Sequence, residues 1–565
     1  MRHCFATTLT LLCLAGCQSD GLDAIDREVT QMLRGKHFET LGPKAPMDPS
    51  LSATRTTDPT ATDQAYDRSP PTNNPSAGEL PVRTATPADG AATRGEAADK
   101  APLVFGLTDS LAYSVEHSRE YRNRKEDLFV AAISLLIEKH LWGPRFFNDT
   151  TARFSGTPEA GDYDHAFSLV NDLRVSQRLP NGGEISVRAL VNFVEQLRSA
   201  AGSTADDSQT TQLSVDVVIP LLRGAGLVAQ EDLIQASRDL VYATRDFERF
   251  RQAFLVEIST DYFDLIQRQG RIRNLEAQLK SLEQLTGRIN ALAVAGREPY
   301  FEVQRSQQQE LFARNNLLSA KEQYANSLDA FKIRLGMPTS QRLELVPNQI
   351  EVPIPFLDIN ESMKTAWALR LDIQTASDQI DDARRRVEVA KNDMLPGLDL
   401  SAGVSLPTDP DKKRGGLDLD AGAGEYDVGV TFSAPLDRRI EALRHRTALI
   451  NLERTDRSYT LLKDNIALAV RQSIRQIERA QSTLSLQNIN LELAEKRKLG
   501  VLLRERTLGP RDVIEAEDDL LEAKDDLDEA QRDLRVSVLT YLLATGQMRV
   551  SSTGQWQAPA KLTPQ

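Results

Sequence analysis

Little in this chain is arranged for covalent chemistry. The six histidines, His3, His37, His117, His140, His165 and His445, form no metal-ligand spacing, and none opens an HExxH helix. No metal and no cofactor are therefore expected. Gly422, Gly424 and Gly429 miss the spacing of a dinucleotide loop, and no serine or cysteine nucleophile pattern occurs. Paired carboxylates occur at Asp518-Asp519 and Asp525-Asp526. They fall in a helical heptad pattern, where they are expected to face solvent rather than to act as acid and base. An enzyme is not indicated. The sulfur placed for modification is that of Cys17, because Cys4 and Cys13 lie upstream in an N-terminal leader.

That leader has a basic start at Arg2, an apolar stretch from Phe5 to Leu14 and small residues before Cys17. It is a secretory signal, too short to remain as a membrane-spanning helix. Leu14-Ala15-Gly16-Cys17 resembles the bacterial lipobox, in which the cysteine receives a diacylglycerol and becomes the new N-terminus. An ordinary signal peptide with a coincidental cysteine is the competing reading. Gln18, not Asp, follows, which under the enterobacterial sorting rule favours the outer membrane. Residues 1–17 are thus read as a lipoprotein signal peptide with Cys17 as the lipid-attachment site. The mature chain keeps no cysteine pair, so packing and assembly must hold it together. A formal charge of −13 argues against nucleic acid as a partner. Residues 18–101 are rich in Thr, Pro, Ala, Asp, Ser and Gly and bury too little apolar surface to fold. They read as a disordered tether with a reach of roughly 50 Å, within which a short helix between Leu22 and Leu33 stays open.

The remainder is a duplication. Val303 to Gly336 and Val513 to Gly546 share one spacing, and Ala313, Leu317, Ala320, Ser327 and Gly336 match Ala523, Leu527, Ala530, Ser537 and Gly546 at a constant offset. This gives a first repeat over 102–345, a second over 346–550 and a tail over 551–565. Val513, Leu520, Leu527, Leu534 and Tyr541 recur every seventh residue, with Ala516, Ala523, Ala530 and Ser537 three residues later. Large residues alternating with alanines suit a coiled-coil seam. In the first repeat Glu310 interrupts the large set. Upstream of each seam no proline occurs between Pro220 and Pro299 or between Pro435 and Pro510. Each stretch predicts one helix of roughly 100 Å, reversed at Gly296 to Pro299 and at Gly509-Pro510 into the heptad helix.

Before each long helix the period becomes two. Tyr426, Val428, Val430 and Phe432 alternate with small or polar residues, as do Leu398 to Leu406, Ile185 to Phe193 and Leu213 to Ile219; Leu169 to Leu179 is less regular. One apolar and one polar face is the pattern of a membrane β-barrel wall, and equally of a half-buried soluble sheet. The small number of strands cannot close a barrel alone, and an open sheet in lipid would leave backbone groups unpaired. Three copies of four strands would close a wall of twelve.

The chain resembles the TolC-like outer membrane efflux proteins over essentially all of Leu103–Val550. The resemblance rests on Cys17, on Ile219-Pro220-Leu221-Leu222-Arg223-Gly224-Ala225-Gly226 leaving a strand, and on Ala434-Pro435-Leu436 in the equivalent place. Gly509, Asp512-Val513-Ile514-Glu515-Ala516, Gly336 and Gly546 complete it. It implies a mainly α fold with a membrane β part. Duplicated long helical hairpins and short strands would build a homotrimer with a twelve-stranded barrel and an α-helical tunnel. Such a protein would be a passive conduit of a tripartite efflux or type I secretion system. It would sit in the outer membrane, lipid-anchored, and extend into the periplasm. Its partners would be a periplasmic adaptor (membrane fusion) protein and an inner-membrane pump. The resemblance further implies that Asp512 and Glu515 form a carboxylate gate at the tunnel mouth, a cation-selective device. Glu302 would latch the mouth by pairing with Arg506 or Arg511 of a neighbouring chain, and Gly296 and Gly509 would be the docking tips.

Two departures stand out. The first turn, Ala295 to Phe301, carries Pro-Tyr-Phe where the family has a compact glycine turn. The region from Pro144 to Pro220 is nearly twice as long as Pro396 to Pro435, room for an additional hairpin or a long loop. The alternative function is a structural coiled-coil lipoprotein that spaces or links the outer membrane to another envelope component. It accounts for leader, tether and helices but not for amphipathic strands in matching places.

Overall fold

The computed structural model describes residues 22–41, 102–159, 162–198, 208–347, 357–408, 419–504, 509–551 and 556–557. Cys17, Arg506 and most of the expected tether lie outside them. Among the described residues no helix is long and apolar enough to cross a membrane.

The two repeats use the same parts. The first holds α2 (Leu107–His117), α3 (Arg119–Leu141), α4 (Glu231–Val294) and α5 (Tyr300–Leu335); α1 (Leu22–Leu41) precedes it. The second holds α6 (Ile359–Leu369), α7 (Leu371–Asn392), α8 (Arg439–Leu503) and α9 (Pro510–Ala544). The helix pairs α4 and α8, of 64 and 65 residues, each extend roughly 100 Å at about 1.5 Å per residue. Gly336 and Gly546 mark equivalent joints. Both have positive φ, +83° and +68°, a region costly for residues with a Cβ. A side chain at Gly336 would overlap the His117 carbonyl where α2 meets α3, and one at Gly546 would press on Arg370 where α6 meets α7. Each hairpin thus ends against the start of its own repeat, and both joints require glycine.

The expected heptads pack as seams. Val513, Ala516, Leu520, Ala523, Ala530 and Tyr541 are buried, as are Val303, Ser306, Ala313 and Leu317 in the first repeat. The main core lies nearer the sheet, where Tyr121, Phe247, Phe254, Tyr262, Phe331 and Tyr541 pack with Leu111, Leu335 and Val470. Residues 22–41 correct the tether: they form α1, whose Val29 and Leu33 are buried in that core. Apolar residues at helical spacing give this segment a face to bury, so it docks instead of remaining coil.

The sheet corrects the strand count. It has six antiparallel strands: β2 (Arg145–Glu159), β3 (Asp162–Arg178), β4 (Glu184–Arg198), β5 (Ser208–Pro220), β7 (Gly397–Pro407) and β8 (Glu425–Ser433), hydrogen-bonded in that order. Two short strands, β1 (Leu103–Phe105) and β6 (Leu343–Leu345), pair separately at the ends of the first repeat. The long first region therefore holds an additional hairpin, β2–β3. Four strands per chain do not describe this sheet. The faces are sorted by alternation. Phe146, Val175, Val187, Val215, Val404 and Tyr426 form one line across it. One residue earlier on β2, Arg145, Ser176, Ser186, Asp216, Gly403 and Asp427 form the next line, on the opposite face.

Below the sheet an ionic seam joins the repeats. Asp382 of α7 is buried and accepts from Arg238 and from Arg385 at 2.9 Å, while the Tyr242 hydroxyl donates to its second oxygen at 2.6 Å. Arg385 also reaches Glu231 at 3.0 Å, and Arg245 reaches Asp378 at 2.6 Å. Burial, with the Asp382 carboxylate holding its proton, pushes the Tyr242 phenol up to about 12. Removing one member of a buried ionic cluster leaves its partners desolvated and unpaired. Asp382→Ala is expected to cost about 3 kcal/mol, read as a lowered denaturation midpoint in the helical circular-dichroism signal.

Candidate functional site

The hairpin tips lie at the end of the long helices opposite the sheet. In the first, Gly296 has φ +70°, and the N–H groups of Gly296 and Arg297 donate to Ala293 and Leu292 at 2.9 Å. This satisfies the last carbonyls of α4. Pro299 then caps α5. The tip exposes three large apolar side chains beside Arg297 and Glu298: Val294 is 85% exposed, Tyr300 69% and Phe301 60%.

In the second tip Pro510 occupies the first turn of α9, where its missing N–H costs nothing. The Asp512 carboxylate accepts from the Gly509 N–H at 3.1 Å, so it caps the helix and sits at the positive end of its dipole. Glu515 is flanked by cations, Arg511 at 2.8 Å and Arg497 at 3.8 Å. Arg497 also pairs with Asp519, and Lys498 with Glu517 at 2.8 Å. Leu282, Leu285, Ile289, Val303, Val513 and Ile514 form a small apolar core that ties the two tips together.

The structure therefore brings Gly296, Glu302, Gly509, Arg511, Asp512 and Glu515 to one end of the molecule. It does not pair Glu302 with Arg511 within the chain. Arg511 is engaged by Glu515, while one carboxyl oxygen of Glu302 is buried without a hydrogen-bond partner.

One carboxylate of each pair expected to face solvent turns instead to the neighbouring helices. Asp518 accepts from Gln278 of α4 at 2.7 Å and from Gln309 of α5 at 3.1 Å. Asp525 accepts from Asn274 at 2.9 Å and lies 3.4 Å from Arg271. Seven residues farther along, Arg532 meets Asp264 at 3.3 Å. The seven-residue interval between Asp518, Asp525 and Arg532 was the available signal, since it puts all three on the face that meets α4. Desolvation pushes the carboxyls of Asp518, Asp525 and Asp528 up, beyond what the amide donors recover. Among the described residues no group of His, Cys, Asp and Glu is placed to hold a metal.

No family model matches the chain. It is 25% identical over 294 residues to the outer membrane protein TolC of Escherichia coli (strain K12), covering 49% of this chain. The match spans 55% of that relative, about half its length. The fold is similar to that of the outer-membrane channel OprN, with a TM-score of 0.60 at 16% identity, over 78% of this chain and 89% of that one. The outer membrane protein VceC of Vibrio cholerae gives a TM-score of 0.58 at 15% identity, over 78% and 96%.

The half-buried carboxyls make the tip seam pH-dependent. Each keeps its proton to higher pH in the folded protein than in the unfolded chain. Their contribution is full below the ordinary carboxylate range and is lost as the pH rises through the raised values. Asp518→Asn combined with Asp525→Asn is expected to raise the thermal midpoint at pH 7, with the gain vanishing as the pH falls toward 4. Thermal scans at stepped pH check this.

Proposed function

We propose that this chain, TolC-like in sequence and in fold, is the outer-membrane channel component of a tripartite efflux or type I secretion system. Three copies form a passive conduit: a β-barrel in the outer membrane continued by a helical tunnel through the periplasm. The single observation that carries this reading is the pair of bare edges on an amphipathic sheet. β2 and β8 end the sheet with no strand beyond them among the described residues, an arrangement hydrocarbon penalises by several kcal/mol per unpaired group. The helical layer has edges at the same sides. Toward the tips α4 and α9 lie inside, with α5 and α8 flanking. Those flanks expose Leu311, Phe312 and Leu318 on α5, and Leu486, Ile489 and Leu493 on α8. Apolar stripes at both flanks suit closure against further copies. A coiled-coil spacer needs neither the sheet nor the stripes.

In this reading the tips face the periplasm. The first tip, with Val294, Tyr300 and Phe301 exposed, suits contact with a periplasmic adaptor that links the conduit to an inner-membrane pump. The lipid on Cys17 adds an anchor at the outer membrane. The second tip narrows the mouth with a ring of carboxylates. Glu515 is compensated by two arginines, whereas Asp512 has a backbone N–H as its partner. Asp512 therefore carries the selectivity. Glu302 serves as a latch toward a neighbouring chain.

Asp512→Asn keeps an oxygen to accept the Gly509 N–H and removes the charge. In planar bilayers it is expected to lower cation-over-anion permeability several-fold while leaving the helical content unchanged. Asp512→Ala also loses the cap, at a cost of about 1 kcal/mol. An absence of channels from the wild-type protein and from both variants would favour the spacer.

A further inference from the structure

We propose that the membrane wall is a ring of eighteen strands, six from each of three copies, closed by β8 of one copy pairing with β2 of the next. This rests on the trimeric conduit above and specifies how its wall is built.

The β2–β3 hairpin belongs to the wall. It is hydrogen-bonded to β4 along its full length, from Arg178 opposite Glu184 to His165 opposite Arg198. The turn that joins it to β4 is fastened to the link between sheet and helices. The Gly226 N–H donates to the Asn181 carbonyl at 3.0 Å, and the Gln230 side chain donates to the Pro180 carbonyl at 2.8 Å. On the same link, the Gly224 N–H donates to the Asn392 side chain at 2.7 Å. Lengths of 15 residues for β2 and 9 for β8 meet the ~9–11 that a tilted strand needs to cross hydrocarbon, β8 at its lower limit.

Directions and charges fit the proposed joint. The chain enters β2 from α3 and leaves β8 toward α8, so β2 runs away from the helices and β8 toward them. The joint would be antiparallel like every other in the sheet. On the polar face β8 presents Glu425 and Asp427, and β2 presents Arg145, Asp149 and Arg153. The acidic edge of one copy thus meets an edge with two arginines and one aspartate. The outer face of β8, with Tyr426, Val428, Val430 and Phe432, carries none of the charges or prolines that protect a free edge.

The arc also fits. Next to the sheet each copy contributes four neighbouring helices, α3, α4, α7 and α8, which at ~9 Å each span roughly 36 Å. Six strands spaced ~4.8 Å and tilted about 40° span roughly 38 Å, whereas four would span roughly 25 Å. Six match the helical layer beneath them. The wall is then about one and a half times as wide as a ring of twelve.

Disulfide trapping tests the joint, because the described residues contain no cysteine. Cysteines at Thr150, Ala152 or Phe154 in β2 are combined with cysteines at Val428 or Val430 in β8. A parallel panel replaces the β2 positions by Val187, Ala189 or Val191 in β4. Oxidation in intact membranes should yield a covalent ladder up to trimer for at least one β2–β8 pair and none for the β4–β8 pairs. Ladders from β4–β8 pairs would mean that β2–β3 lies outside a twelve-stranded ring, overturning this proposal while leaving the conduit intact. Monomers throughout, with no ladder from either panel, would overturn both. Electron microscopy of the purified unmodified particle gives an independent count: eighteen strands in the ring support the proposal and twelve reject it.

Discussion

Backbone hydrogen bonding at the rim of the sheet governs this molecule. A strand in water can leave its outer N–H and C=O groups to solvent, but a strand in hydrocarbon cannot. In the proposed conduit, six amphipathic strands with two open sides form part of a wall, and identical chains would supply the missing part. The helices inherit the same condition. Because α3 feeds β2 and α8 follows β8, whatever closes the sheet also brings the flanking helices of neighbouring copies together. In the proposed trimer, closure of the wall and closure of the tunnel would be one event seen at two heights.

The two repeats are joined differently at those heights. Beneath the sheet the contact is made of full charges: Arg238 and Arg385 converge on buried Asp382, and Arg249 and Arg370 on Asp372. For Asp372 the arginines more than offset desolvation, and its carboxyl is held below the usual range. Toward the tips the closest contacts are between carboxylates and amides, Asp518 with Gln278 and Gln309, Asp525 with Asn274, beside the longer ion pairs of Arg271 with Asp525 and Arg532 with Asp264. There desolvation wins and the carboxyls are pushed up. An arginine cluster has fixed charge across the physiological range, whereas an amide–carboxyl seam changes strength with protonation. One end of each chain is clamped, and the other is adjustable.

The periodicities were legible in the sequence because they record contacts within one element. Seven-residue spacing gave α9 and its buried alanines, period two gave β4, β5, β7 and β8, and the paired glycines gave the duplicated joints. Of the β2–β3 hairpin, β3 was legible only in part, as the less regular stretch Leu169 to Leu179, and β2 was not legible as a strand. The hairpin's outward face includes Asn148, Thr150 and Asn171, which break the apolar alternation. In the structure the Asn171 amide donates to Asn148 at 2.8 Å and to Thr150 at 2.7 Å, so the three polar groups satisfy one another across the hairpin. That compensation exists only after pairing. Asp518 illustrates the same limit. Its partner Gln278 is 240 residues away, and no local pattern shows that a heptad carboxylate will meet an amide instead of water. The docking of α1 likewise depends on a surface built by α3 and α4.

In the proposed conduit, selectivity would reside where the passage is narrow. The proposed wall of eighteen strands would leave its polar face far from the axis, and Arg188 is already committed to Asp172 at 2.6 Å. Charges so placed act weakly on a passing ion, because water between them and the axis screens the field. The tips are different. Five carboxylates lie within the first turns of α9, but Glu515, Glu517 and Asp519 each have a cationic partner in the same chain, and Asp518 is half-buried against Gln278 and Gln309. Asp512 instead accepts a backbone N–H. A helix terminus carries only partial charge, so it holds the carboxylate in position without cancelling it. In the proposed conduit the residue that caps the helix would also be the one whose charge acts on the lumen, so that folding the tip correctly and setting its selectivity would fall to the same side chain.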